Sequence, residues 1–115
     1  MPVESIAYRK SLAFGKRIVN LYRYLTSEHK EYVLSKQILR SGTSIGANIA
    51  EARYGISKKD FLAKIYVSLK ECAETIYWLE LLSSCSYINE EEYRSLLQDC
   101  EELRRILSAT TRTAQ

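Results

Sequence analysis

The chain has 115 residues, enough for one domain, with 46% hydrophobic residues, 27% charged residues and a formal net charge of +3. That apolar content at so low a net charge excludes an intrinsically disordered chain, and no apolar run approaches the roughly 20 residues of a membrane span. One proline and four glycines are too few for the frequent turns of a strand-rich fold, so long helices are expected.

Four helical segments separate in chain order. The first is predicted over about 6–26, with Ser5 as a candidate cap and apolar positions at Leu12, Ile18, Val19, Tyr22 and Leu25, Ala13 and Phe14 filling the gap. Ser27-Glu28-His29-Lys30 breaks the pattern. The second is predicted over 31–53, with Leu34, Ile38, Ser41, Ile45, Ile49 and Ala52 on one face. Its interior holds Gly42 and Gly46, each costing about 1 kcal/mol relative to alanine, so either a neighbouring backbone approaches closely or the helix kinks there. Tyr54-Gly55-Ile56 makes a turn in which Gly55 suits a left-handed cap. Ser57 and Asp60 then resemble a capping box opening the third helix, 58–84. Along it Leu62, Ile65, Leu69, Cys72, Ile76 and Leu79 alternate by three and four, the seam of a bundle. A second stripe, Tyr66, Ala73 and Tyr77, widens that apolar surface beyond what one partner helix needs. Asn89 and Glu92 signal the start of the fourth helix, 90–109, with Tyr93, Leu96, Cys100, Leu103 and Leu107 inward and a frayed tail from Thr110. Short connections make consecutive helices antiparallel neighbours, so the expected fold is an all-α, up-down-up-down four-helix bundle in a single domain.

Catalytic chemistry finds little to stand on. The one histidine, His29, sits in the first loop without a nucleophile or acid to serve, and a di-iron bundle needs a histidine from each of two helices. No glycine-rich phosphate loop is present. The helix glutamates read as solvated charges. Cys72, Cys85 and Cys100 are odd in number and lie in no metal-ligand spacing, as reduced cytosolic thiols would. No signal peptide is visible after Met1. A cytoplasmic, non-enzymatic protein without metal or cofactor is expected.

Two polar patterns remain. On the second helix Ser41, Ser44, Asn48 and Glu51 share a face beside Ile45 and Ile49, and Ser44, Asn48 and Glu51 are expected to form a hydrogen-bonded network that fixes helix register. On the first helix Arg9, Lys16 and Arg23 are spaced by seven, and Lys10 and Arg17 follow one residue on. With Lys36 and Arg40 of the second helix they make a basic ridge that could track a phosphate backbone, with tyrosines at hand for stacking. No acid lies between Glu4 and Glu28, so these cations repel one another without the local pairing that would stabilise the helix. Charge is also divided along the chain. Residues 1–59 carry eleven Lys/Arg against four acids, and residues 60–115 carry six against ten. Such asymmetry suits an anionic partner or head-to-tail contact between copies.

The stretch Leu34–Ala52, followed by Ser57-Lys-Lys-Asp-Phe61 and Ser68-Leu-Lys-Glu-Cys-Ala-Glu-Thr-Ile-Tyr-Trp-Leu-Glu80, resembles the four-helix-bundle family named after proteins encoded in 23S rRNA intervening sequences, also called the S23 ribosomal protein family. It is similar as well to the accessory variability determinant of diversity-generating retroelements. The family pattern Arg-x-x-x-Ser-Ile-x-x-Asn-Ile-Ala-Glu is met at Arg40, Ser44, Ile45, Asn48, Ile49, Ala50 and Glu51. Many members continue with Gly-x-x-Arg, where this chain has Ala52-Arg53-Tyr54-Gly55. The resemblance implies a bundle that assembles as a homopentameric ring, and for the retroelement members binding of nucleic acid and of a reverse transcriptase. The alternative function is a protein-interaction ring with no nucleic-acid role.

Overall fold

The computed structural model describes residues 2–114, with side chains from Ile6 onward. Four helices account for nearly all of it: α1 (Pro2–Glu28), α2 (Leu34–Ala52), α3 (Lys58–Ser84) and α4 (Glu90–Ala114). Each helix packs on its sequence neighbour, and α1 also packs on α4, which closes an up-down-up-down square bundle of 44 × 21 × 19 Å.

The ends of the helices differ from expectation for identifiable reasons. α1 starts at Pro2, a residue whose missing N–H costs nothing in a first turn, and this places Ser5 inside the helix rather than at its cap. α1 ends through Lys30, whose φ of 53° is left-handed, with Glu31 N–H donating to the Leu25 carbonyl at 3.0 Å. α2 starts three residues later than expected because Glu31 stands outside the helix. Its carboxylate accepts from the N–H groups of Val33, Leu34 and Ser35 at 3.1, 3.0 and 2.7 Å. Burial alone would raise the Glu31 carboxyl, but these backbone donors outweigh it and hold it below the ordinary carboxylate value. The N-cap bonds form where expected: Ser57 Oγ accepts from Asp60 N–H at 3.1 Å and Asn89 Oδ1 from Glu92 N–H at 2.7 Å. α4 continues a turn beyond the expected end. Thr110 and Thr111 are buried, and their hydroxyls return to the carbonyls of Ile106 and Ser108. Gln115 lies outside the described residues.

In α1 the buried positions are Ala7, Ser11, Phe14, Ile18, Leu21 and Leu25, a strict alternation of four and three. Leu12, expected inside, is half exposed. The small residues Ala7 and Ser11 hold its place in the seam and let α2 come close. Gly46 meets Ser11 there, so an added Cβ would stand 3.0 Å from Ser11 Oγ, and one at Gly42 would stand 2.8 Å from Ile18 Cγ1. α2 runs unbroken through both glycines. In α3 the seam is Ile65, Ser68, Cys72, Thr75, Leu79 and Leu82, shifted so that two hydroxyls enter the core. They are satisfied: Ser68 Oγ donates to the Ile45 carbonyl at 2.8 Å, and Thr75 Oγ1 lies 2.9 Å from Ser41 Oγ. Gly55 does not adopt the left-handed conformation expected of it. It is required by space instead, because a Cβ would lie 3.1 Å from Phe61 N and 3.2 Å from the Ala52 carbonyl, where the turn folds onto the start of α3.

Candidate nucleic-acid interface

The seven basic residues singled out in the sequence divide into two groups. Lys10 and Arg17 turn toward α4. Lys10 pairs with Glu102 at 3.3 Å, and Arg17 pairs with Asp99 at 2.8 Å and Glu92 at 3.8 Å while donating to the Ser95 carbonyl. Arg40 turns toward α3, where it meets Glu71 at 3.5 Å and also Glu74, whose carboxylate accepts from Trp78 Nε1 at 3.0 Å. These three cations are neutralised within the chain and join helices, each pair worth about 0–1 kcal/mol at this exposure. Arg9, Lys16, Arg23 and Lys36 are exposed and make no ion pair among the described residues. Arg9, Lys16 and Arg23 follow one another at about 10 Å intervals along α1. They form a line of uncompensated charge about half the length of the helix.

Lys16 and Arg23 also rim a groove of about 640 Å³ between α1 and α2. Leu12 and Val19 supply its apolar wall, and the small residues Gly15, Gly46, Ala47 and Ala50 its floor. Tyr8 closes one end, with the Arg53 guanidinium 4.4 Å above its ring. Sequence reasoning missed this groove because it placed Leu12 and Val19 in the core. The signal that could have found it is the uninterrupted 4-3 register from Ala7 to Leu25, which leaves Leu12 and Val19 on the next face.

No side-chain-to-side-chain hydrogen bond joins Ser44, Asn48 and Glu51, the residues expected to form a polar network. Ser44 Oγ donates to the Arg40 carbonyl at 2.6 Å and Asn48 Nδ2 to the Ser44 carbonyl at 2.8 Å, both within α2. Glu51 is exposed and pairs with Lys64 of α3 at 2.8 Å. The hydroxyl contacts buried between helices are instead those of Ser41 with Thr75 and of Ser68 with Ile45. Arg40 and Glu51, at the two ends of the motif, each grip an oppositely charged residue of α3 and so clamp α2 to it.

The remaining reactive side chains have structural surroundings. His29 lies edge-on between Tyr24 and Tyr87, with ring centroids 5.1 and 5.3 Å away, and Nε2 is 3.0 Å from the Tyr24 hydroxyl. Cys72 and Cys100 are buried against each other's segments, and Cys100 Sγ lies 3.7 Å from the Cys72 carbonyl. The neighbouring Cys72 thiol, together with burial, pushes the Cys100 thiol well above the ordinary cysteine value. Cys85 is exposed at the end of α3. No described helix is long and apolar enough to cross a membrane, and no group of three metal-ligating side chains occurs among the described residues.

Comparison with known proteins places this arrangement. No curated protein matches the chain. A solved structure from Bacteroides thetaiotaomicron, of a protein with unknown function from the S23 ribosomal protein family, superposes with a TM-score of 0.95 at 50% sequence identity, covering 96% of this chain and 98% of that one. The description 23S rRNA-intervening sequence protein matches residues 4–109. The chain belongs to the family of 23S rRNA-intervening sequence proteins.

Proposed function

We propose that this protein is a non-enzymatic, self-associating cytoplasmic scaffold that binds nucleic acid through α1. The observation that carries the reading is the line Arg9, Lys16 and Arg23, exposed and without an acid partner among the described residues, while Lys10, Arg17 and Arg40 beside it are neutralised. An isolated helix gains nothing from repelling cations. A phosphate backbone would supply the missing counter-charge and release its own counterions on binding. The retroelement resemblance adds a reverse transcriptase as the class of protein partner, and the family resemblance a homopentamer.

Fluorescence anisotropy of a labelled RNA or DNA oligonucleotide across a salt series tests the reading. Affinity should fall with salt at a log–log slope of about −2 or steeper if three phosphates are neutralised. Combined substitution R9E, K16E and R23E should abolish binding, whereas Lys10→Ala should leave the slope unchanged. Undiminished binding by the triple variant would refute α1 as the site.

The groove favours a second reading, a protein-interaction ring in which the same cations rim a contact with another chain. Its wall of Leu12 and Val19 is what a protein neighbour, and not a phosphate chain, would cover. Light scattering of wild type and Val19→Glu tests it: a multiple of 13.3 kDa that collapses in the variant supports the ring, and an unchanged mass overturns it.

A further inference from the structure

The two most exposed large apolar side chains among the described residues lie two positions apart in one short turn. Tyr54 is 83% and Ile56 93% exposed, between the end of α2 and the start of α3. The turn that carries them is tightly bonded. Tyr54 N–H donates to the Glu51 carbonyl at 3.0 Å and Gly55 N–H to the Ala52 carbonyl at 3.1 Å, and Ser57 caps α3 immediately after. An aromatic ring is thus held out from the bundle on a preorganised support. Lys58 and Lys59 follow it, exposed and without an ion pair among the described residues. Arg53 precedes it and stacks on Tyr8, the neighbour of Arg9, so the tip continues the charged line of α1.

Beside the ring is a recess of about 450 Å³, within the range of roughly 300–1,000 Å³ that small-ligand sites occupy. Tyr54 and Ile56 give it apolar walls, and Asp60 lines it together with the Glu51–Lys64 ion pair, closed at 2.8 Å. With Lys64 already held by Glu51, the charge left over in the recess is that of Asp60, which disfavours a phosphate or an anionic lipid headgroup but accepts hydrogen bonds from the exocyclic amino group of a base. The aromatic face suits the base itself, and the two lysines outside suit the phosphates on either side.

We propose that the α2–α3 turn is a base-binding tip: Tyr54 stacks on an unpaired base seated in the recess, and Lys58 and Lys59 hold the adjoining phosphates of a single strand. The inference rests on the nucleic-acid reading above and narrows it to unpaired substrates. A base inside a duplex has no free face to offer.

The test uses the full chain and a labelled oligodeoxycytidine of about 16 nucleotides, the upper site size of one single-strand module, beside its duplex with oligodeoxyguanosine. Tyr54→Ala should weaken single-strand binding roughly 5- to 150-fold, as loss of one stacked base does. The salt slope should be unchanged, Tyr54→Phe should bind as wild type, and duplex binding should not respond. Single-strand binding by Tyr54→Ala equal to wild type would overturn the tip. So would a change in its mass by light scattering, which would make the turn a contact between copies, or transfer of the Tyr54 dependence to anionic vesicles. The R9E, K16E and R23E variant separates the two proposals. Binding abolished there but indifferent to Tyr54 removes the tip and keeps α1. The reverse pattern keeps the tip and removes α1. A wild-type chain that binds no oligonucleotide removes both.

Discussion

Gly15 and Gly42 are both helix-interior glycines, and their replacement by alanine should have opposite effects. Alanine is favoured over glycine in a helix by about 0.8–1.0 kcal/mol wherever the new methyl group fits. At Gly15 nothing lies within 4 Å of the added Cβ, so Gly15→Ala should gain nearly all of that. At Gly42 the Cβ would stand 2.8 and 2.9 Å from Ile18 Cγ1 and Cγ2. Ile18 is fully buried and branched at Cβ, so neither γ-carbon can swing aside into open space. Overpacking of this kind costs about 1–3 kcal/mol. After the helix-propensity gain, Gly42→Ala should be destabilised by up to about 2 kcal/mol, leaving the two variants roughly 1–3 kcal/mol apart. For a domain of this size that separation is about 5–15 °C in Tm, read by far-ultraviolet circular dichroism. The coupling is checkable too: Ile18→Ala should cost less in the Gly42→Ala background than in wild type, because the smaller residue relieves the clash. A Gly42→Ala melting temperature equal to or above that of Gly15→Ala would refute the packing argument. A Gly15→Ala loss of stability would show that another copy fills the groove floor.

The other predictions concern a cap, a helix end and the thiols. The Glu31 carboxyl is held below its ordinary value in the folded chain, so its contribution is fully present above the unfolded value and is lost as pH falls through the lower folded one. Thermal unfolding should therefore show wild type more stable than Glu31→Gln near neutral pH, by about 0.5–2 kcal/mol, with the difference shrinking below about pH 4.3. A pH-independent difference would sink the charged-cap argument. Lys30→Gly should stabilise the chain by up to about 1 kcal/mol, since glycine meets no Cβ penalty at a φ of 53°; urea unfolding would measure it. Titration with a thiol reagent should modify Cys85 readily in the native protein and leave Cys72 and Cys100 untouched until denaturant is added.

The bundle was legible because apolar periodicity, capping residues and scarce proline all demand the same four helices. What escaped was rotation about each helix axis. In α1 the large residues Leu12 and Val19 draw the eye, but the seam runs through Ala7 and Ser11, whose small size is what lets α2 approach. In α3 the seam runs through Ser68 and Thr75, which read as surface residues until their partners on α2 are known. The division of the basic ridge into paired and unpaired cations has the same cause. A step of seven residues returns nearly to the same face, but the single step from Arg9 to Lys10, or from Lys16 to Arg17, rotates by about 100°. That rotation carries Lys10 and Arg17 over to acids of α4 roughly eighty to ninety residues later in the chain, a distance no local pattern spans.

The same reasoning separates the family motif from the function. Arg40 and Glu51 are held by Glu71, Glu74 and Lys64, while Ser44 and Asn48 bond back to their own helix. The polar residues of the motif are therefore occupied within the fold, Arg40 and Glu51 in docking α2 on α3 and Ser44 and Asn48 within α2, so recognising them identifies a fold and leaves the ligand open. Residues that folding does not use carry more information about partners. Arg9, Lys16 and Arg23 have charge to spare, and Tyr54 and Ile56 have apolar surface to spare. Unpaired like charges on one helix face repel one another, and large apolar side chains left in water gain nothing from burial, so neither group stabilises the fold. The stacking of Arg53 on Tyr8 sets the turn beside the Arg9 end of the charged line, which makes the two proposals parts of one continuous surface.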